Sequence, residues 1–492
     1  MPTVVVLGAA YGGRRAVQIL LDHLPSDWRI VAIDKNTHFN HLYAFPRMAV
    51  LKGHENKPFV PYNAIFKRGN FRTESERQNY PVEDDNYSQE NHNHVLLHAR
   101  VDKLEPNNVH FTLLTDHHDS TASTNFNNPY SSCEMGTQHS LQFDYCIYAL
   151  GSHLPSPMNV CCSRSRGTKL EGIAWLAGSQ ARVDKAKSVV IIGGGALGVQ
   201  MASDIADVYP NQKKITLLHS GPRLLPRFNP WMHEEACEKL ESLGVNVILS
   251  SRADLSNIKK CGVVKHGRTI KTLNGQHTLE ADLVLMCTGQ KPNTDPLQSS
   301  PILASAINPA TGLVSVNRHL QISTNKYHIN GDEHHIDEDA EVNVHQEGVC
   351  ENVFVIGDVA DAFGALKAGH TAWAMGELAA RNVCWMIENE KRRQQPKQNS
   401  NKDDEDNIVA NLDKLDLNAG DKKNNSSEED DFIALEEYNP PHHAIKVSLG
   451  LSSAIIQRGN ETLHADPESC HADLNCGIMW TSHGMTCDDF TI

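Results

Sequence analysis

Short apolar runs alternate along the chain with longer stretches of helical spacing. The first run, Val4-Val5-Val6-Leu7, leads into a glycine-rich turn and a helix-like stretch reaching about residue 24. A second run over residues 29–33 ends at Asp34. The same order recurs at residues 188–192, a glycine turn, a helix-like stretch to about residue 209, and a run over residues 214–218 that ends at His219. Gly13 precedes Asp34 by 21 residues, and Gly198 precedes His219 by 21. Continuous β-branched runs bounded by glycine predict strands buried on both faces. The helical stretch inside each pair predicts a crossover helix. The chain therefore carries one βαβ unit twice, in one internal register.

Further buried strands ending in glycine turns are predicted at residues 143–151, 281–289 and 352–358, with a long helix at about 366–387. Residues 444–449 and 454–458 read as a hairpin. Three stretches, 115–140, 325–347 and 390–431, are too polar to offset the entropy of ordering them. The fold class that follows is α/β, with two Rossmann-like dinucleotide-binding domains, the second inserted in the first, and a small C-terminal region. The expected boundaries are 1–165 and 291–390 for the first domain and 166–290 for the second. An acidic linker at 391–432 and a C-terminal region at 433–492 complete the chain.

Composition narrows the class. Across 492 residues, 40% are hydrophobic and 21% charged, which excludes collagen-like, coiled-coil and wholly disordered chains. The net charge of −15 is unevenly placed. Residues 403–437 hold 13 acids and 3 bases, and residues 331–341 hold 6 acids and no base, so the rest of the chain is near neutral. An acidic chain without a basic face is not expected to bind nucleic acid. No run of 18 apolar residues predicts a membrane span. A strand starting at residue 3 or 4 leaves no room for a signal peptide. The 12 scattered cysteines suit a reducing compartment, so a cytoplasmic protein is expected.

The glycine loops carry the chemistry. A turn of this type lets backbone N–H groups and a helix N-terminus meet a pyrophosphate. The first loop places Gly8, Ala10 and Gly13 in the pattern, with Gly12 keeping the turn open, and Asp34-Lys35 follow at the ribose end. The second loop has Gly193, Gly195 and Gly198. At its ribose position stands His219, with Arg223 four residues on. A carboxylate there would repel a 2′-phosphate, so its absence admits NADPH as well as NADH. Two dinucleotide sites imply two dinucleotides, and the economical pair is a resident FAD and a visiting NAD(P)H. Gly357-Asp358-Val359 at a strand end fits a carboxylate that holds the flavin's ribityl chain. Gly151 and Gly289 are the turns that close the flanking strands.

This order of loops, with Ala149-Leu150-Gly151, Cys287-Thr288-Gly289 and Ile356-Gly357-Asp358, resembles the pyridine-nucleotide flavoproteins with two dinucleotide-binding domains, over about residues 1–390. Residues 34–47 resemble the apoptosis-inducing-factor-homologous branch, which includes ferroptosis-suppressor-type proteins, and the chain is also similar to type II NADH:quinone dehydrogenases. The resemblance implies hydride transfer from NAD(P)H to FAD, then electron transfer to a quinone-type small molecule. It leaves open peripheral contact with a mitochondrial or lipid-droplet membrane, a homodimer, and a second reading as a slow-turnover redox-signalling protein. Where the family often has Gly-Val-Glu after the second loop, this chain has Gly198-Val199-Gln200. Residues 35–60 contain no cysteine and no CxxC occurs, so a disulfide-reductase mechanism is not expected.

Because a flavin carries the chemistry, no protein nucleophile is required. Arg47 and Lys367 are the candidate cations near the flavin, in catalytic and binding roles, the alternatives being a structural Arg and a surface Lys, and His370 is expected to pack in preference to hydrogen-bonding the ring. No metal site is expected. The acidic His334-His335 loop and the set Cys470, His471, Cys476, His483 and Cys487 lack fixed ligand spacing. Trp231 is placed either over the nicotinamide cleft or in the second core.

Overall fold

The computed structural model describes residues 1–67, 93–114, 130, 133–154, 159, 166–256, 258, 261–323, 349–394, 432–485 and 490. The chain opens with β1 (Thr3–Leu7), α1 (Tyr11–His23) and β2 (Arg29–Asp34), followed by the short helix α2 (Phe45–Met48). Strands β3 (Val95–Glu105), β4 (Asn108–Leu113) and β5 (Gln138–Gln142) form a meander, and β6 (Tyr145–Tyr148) returns to the centre. The chain leaves through β7 (Ser152–His153) and α3 (Lys169–Lys185). The start of α3 is fixed by a capping box, with the Glu171 amide donating to Thr168 Oγ1 at 3.4 Å and the Thr168 amide donating to the Glu171 carboxylate at 3.1 Å.

The second unit comprises β8 (Ser188–Ile192), α4 (Ala196–Val208), β9 (Lys214–Leu218), α5 (Pro230–Ser242), β10 (Asn246–Ile248) and β11 (Leu283–Met286). It returns through β12 (Lys291–Pro292), which pairs antiparallel with β7, so the two crossings lie side by side. Strands β13 (Gln321–Ser323) and β14 (Val349–Val355) and the long helix α6 (Gly369–Gln394) complete the first unit. Its eight strands run in the order β13-β14-β6-β1-β2-β3-β4-β5, and the second sheet runs β10-β9-β8-β11, all parallel.

Register is what builds the site. Leu7 pairs with Ile33 and with Tyr148, and Tyr148 pairs with Val355. Gly8, Asp34, Gly151 and Asp358 therefore emerge together at the carboxyl edge of one sheet. In the second sheet Ile192 pairs with Leu218 and Met286, which brings Gly193, His219 and Cys287 to a common edge. Open parallel sheets bind ligands outside these carboxyl ends. Val4, Val5, Val6 and Leu7 are all fully buried, because helices cover both faces. α1 lies against α6, where Arg15 pairs with Glu377 at 3.0 Å.

The predicted hairpin is β15 (Ala444–Ser448) and β16 (Ala454–Arg458), extended by β17 (Glu461–His464) and a helix the sequence reading did not anticipate, α7 (Cys476–Ser482). This region bridges both units. Glu436 takes both its oxygens to Arg381 on α6 at 2.6 Å. The Leu451 amide donates to Asp207 on α4 at 2.7 Å, and the Trp480 indole donates to the Lys57 carbonyl at 2.8 Å. Val447, Leu449 and Ile455 join the core of the second unit, while Trp480, fully buried, joins that of the first. The expected linker and the acidic His334-His335 loop lie outside the described residues, apart from the linker's ends.

Candidate functional site

A cavity of about 1210 Å³ lies where the first glycine loop, the start of α4 and the C-terminal region meet. Gly8, Ala10, Gly12, Asp34, Lys35, Arg47, Gly151, Asp358, Lys367 and Gln200 all line it. Gly13, Gly193, Gly195, Gly198, His219, Arg223, Gly289 and Val359 are not on its wall. The second loop reaches the cavity through Ala196, Leu197 and Gln200 on α4.

The two loops are built alike. A Cβ on Gly13 would stand 1.8 Å from the Gly8 carbonyl oxygen, and one on Gly198 would stand 1.8 Å from that of Gly193. Only glycine lets each helix start so close to its strand. The middle position differs: a Cβ on Gly195 would meet nothing within 4 Å. That open space above a helix start, with no side-chain cap and no acid in the first turn of α1 or α4, fits a pyrophosphate approaching bare N–H groups.

The strand-end residues also correspond. The Ala9 amide donates to Asp34 Oδ2 at 2.6 Å, and the Gly194 amide donates to His219 Nδ1 at 3.1 Å. His219 thus does for its loop what Asp34 does for the first, without a charge. Its Nδ1 accepts, so Nε2 carries the proton, and that buried atom faces the Arg223 backbone. Burial also lowers its pKa, which keeps the ring neutral. Burial raises the Asp34 pKa, while the Ala9 and Asn36 amides pull it back. Arg223 turns away from His219 and donates to the Pro226 carbonyl at 2.7 Å.

Asp358 sits over the β14 edge. The Ser152 hydroxyl lies 2.9 Å from both Asp358 Oδ2 and Gln290 Oε1. Burial raises the Asp358 pKa against the pull of Ser152, Lys367 and Gln290. Lys367 donates to the Ala360 carbonyl beside it, and burial lowers its own pKa. Gln200, which lines the cavity from α4, is 5% exposed, and its Nε2 has no partner among the described residues. The residues present thus fit two dinucleotides.

Two expectations are corrected. Arg47, taken as a cation beside the flavin, has its guanidinium engaged in a fully buried ion pair, with Nε 2.8 Å from Asp204 on α4. It also donates to the Gly450 carbonyl at 2.6 Å and the Ala472 carbonyl at 3.3 Å. It therefore ties α2, α4 and the C-terminal region together. His370, expected to pack, is exposed on the cavity wall. Of the two places expected for Trp231 the structure gives the second: it packs against the core of the second unit and meets His464 edge-on, with centroids 5.1 Å apart, and the aromatic that lines the cavity from that unit is Phe228. Cys470, His471, Cys476 and His483 form no metal-holding group among the described residues.

Sequence reasoning missed Ser152, Gln290, Tyr43 and the C-terminal lining, which lies between Ala444 and Met479. Ser152 and Gln290 each follow one of the paired turn glycines, Gly151 and Gly289. That symmetry was the available signal.

Comparison with known proteins places this geometry. The model of the family described as pyridine nucleotide-disulphide oxidoreductase matches residues 2–376. The chain is 39% identical to Fe-regulated protein 8 of Mycosarcoma maydis, over 99% of this chain and 96% of that protein. It is 26% identical to human ferroptosis suppressor protein 1, over 77% and 79%. Its fold is similar to the sulfide:quinone oxidoreductase of Aquifex aeolicus, with a TM-score of 0.59 at 14% identity over 100% and 94% of the chains. It is also similar to NDH2 from Plasmodium falciparum, with a TM-score of 0.58 at 11% identity over 98% and 96%. The chain belongs to the pyridine nucleotide-disulphide oxidoreductase family and is an FAD-dependent oxidoreductase that uses NAD(P)H.

Proposed function

We propose that the protein passes electrons taken from NAD(P)H through FAD to a quinone-type acceptor. The observation that carries this reading is the cavity, which runs from the first glycine loop to a C-terminal wall containing Leu474, Ile478 and Met479. Bound FAD supplies the redox chemistry by accepting a hydride and releasing electrons. The chain's own residues bind and orient. Asp34 and the Gly8–Gly13 turn serve the adenosine and pyrophosphate, and Asp358, held by Ser152, serves the ribityl chain. Lys367 supplies positive charge where the reduced ring is anionic. Gln200 offers its amide donor to the nicotinamide. Neutral His219 admits both NADH and NADPH.

Two further observations favour a quinone over a disulfide. Among the described residues, Cys470 is the only cysteine on the cavity wall, so no pair of described thiols lines it. Leu42 and Ile478, 37% and 63% exposed, line the same cavity and give it an apolar rim suited to entry from a membrane surface. No helix among the described residues is long and apolar enough to cross a membrane. The test is anaerobic steady-state oxidation of NADH and NADPH with a soluble benzoquinone. Acceptor-dependent turnover is expected, and nucleotide oxidation that ignores the quinone would sink the reading.

A further inference from the structure

The loop that joins β9 to α5 is tied down along its backbone. The Leu224 amide donates to His233 Nδ1 on α5 at 3.0 Å, and the Leu225 amide donates to the Gly194 carbonyl in the second glycine turn at 2.8 Å. A Cβ on Gly194 would stand 2.6 Å from Leu224 Cδ2, so the loop and the turn are in contact. The Phe228 amide donates to the Leu225 carbonyl at 3.0 Å. The Asn229 amide donates at 2.9 Å to Gln457 Oε1 on β16, whose own amide group donates to the Gly459 carbonyl at 2.8 Å. Asn229 also caps α5 by accepting from the Trp231 amide.

The backbone is strained where it is held. Leu225 is buried at a φ of 50°, in the left-handed region that bulky side chains avoid. Such a residue persists only where its surroundings fix it, and the outlier points toward function. Arg227 reaches across to the first unit and donates to the Gly364 carbonyl at 3.1 Å, beside Phe363, which is also left-handed at 52°. From the C-terminal region His443 Nδ1 donates to the Arg227 carbonyl at 3.3 Å, and the His443 ring meets that of Phe228 with centroids 6.3 Å apart. The loop therefore touches the second glycine turn, the loop leading to Lys367 and the C-terminal region together. From it the half-buried Phe228 lines the cavity, as Ala196, Leu197 and Gln200 do from α4.

A nicotinamide delivered from the second glycine turn enters the cavity past the start of α4, on the side where Phe228 stands. Hydride transfer needs one face of that ring against the flavin, which leaves the other face for the protein to cover. A fixed aromatic suits a flat ring. We propose that Phe228 is the platform for the nicotinamide ring, covering the face turned away from the flavin. The inference rests on the use of NAD(P)H and is independent of which acceptor follows.

The test is calorimetric binding to the oxidised holoprotein with two probes. Tetrahydro-NAD carries a nicotinamide-type ring that gives up no hydride, and ADP-ribose lacks the ring. Phe228→Leu keeps apolar bulk against the second core and removes the aromatic face. It is expected to weaken tetrahydro-NAD binding roughly three- to ten-fold, the worth of one aromatic stack, with ADP-ribose within two-fold of the parent. Phe228→Tyr keeps the ring and is expected to hold both probes at parent affinity. Tetrahydro-NAD affinity within two-fold of the parent in Phe228→Leu would overturn the platform, and slower reoxidation by benzoquinone in that variant would then give the ring to the acceptor. Equal weakening of both probes, or loss of FAD, would overturn it too, by making Phe228 a prop for its loop.

Discussion

Arg47→Met separates a structural clamp from a flavin cation. The wild-type guanidinium is fully buried, 2.8 Å from Asp204, and serves two backbone carbonyls of the C-terminal region. Removing it strands a buried carboxylate and deprives both carbonyls of their donor. Breaking a buried pair in this way costs about 3–5 kcal/mol. The cost has a pH signature. Burial pushes the Asp204 carboxyl up to about 7 even against the pull of Arg47, and without Arg47 it rises further. A carboxyl whose folded pKa exceeds its unfolded value favours the fold while protonated, and that stability is lost as pH rises through the folded pKa. In the parent this loss is complete a little above neutrality. In the variant it continues, so the deficit grows by up to about 1.4 kcal/mol per pH unit above pH 7. Urea unfolding at pH 6, 7 and 8 reads it directly. The double variant Arg47→Met/Asp204→Leu is expected to regain most of the stability and lose the extra slope. A deficit below about 1 kcal/mol that is flat with pH would refute the clamp.

Other outcomes follow from the same geometry. His219→Asp restores a carboxylate to the second ribose position and is expected to raise the Michaelis constant for NADPH at least about ten-fold, worth 1.4 kcal/mol, while leaving that for NADH within a few-fold. Gly195→Ala, whose Cβ enters open space, should fold and keep FAD but weaken nucleotide binding, read by titration. Gly13→Ala, whose Cβ would clash at 1.8 Å, should give no yellow protein. Trp480→Ala removes a fully buried side chain that holds α7. It should cost about 3–5 kcal/mol and expose the C-terminal region to limited proteolysis.

The repeated βαβ unit was legible because buried parallel strands leave continuous apolar runs and because each loop's glycines obey a steric demand local to the sequence. Gly13 and Gly198 show that demand in identical form. Asp34 and His219 were legible as a pair because strand length fixes their distance from the loops. Arg47 was found but given the wrong partner, since nothing local predicts that α4 would present Asp204 to it. Tyr43 and Ser448 are about 400 residues apart, and only the docking of the C-terminal sheet onto α4 brings them together. His370 does not pack as expected, because nothing local says where the long helix begins relative to the cavity. In the fold it lies at the first turn of α6, where the helix opens onto the cavity.

The central claim is a two-step electron path, and anaerobic stopped-flow spectroscopy tests it most directly. The yellow holoprotein is mixed with NADH or NADPH, and the reduced protein is then mixed with a soluble benzoquinone. The account predicts that the flavin band bleaches within seconds with either nucleotide and returns on addition of one equivalent of quinone. Failure of both nucleotides to bleach the flavin, or a reduced flavin that the quinone does not reoxidise, would contradict it.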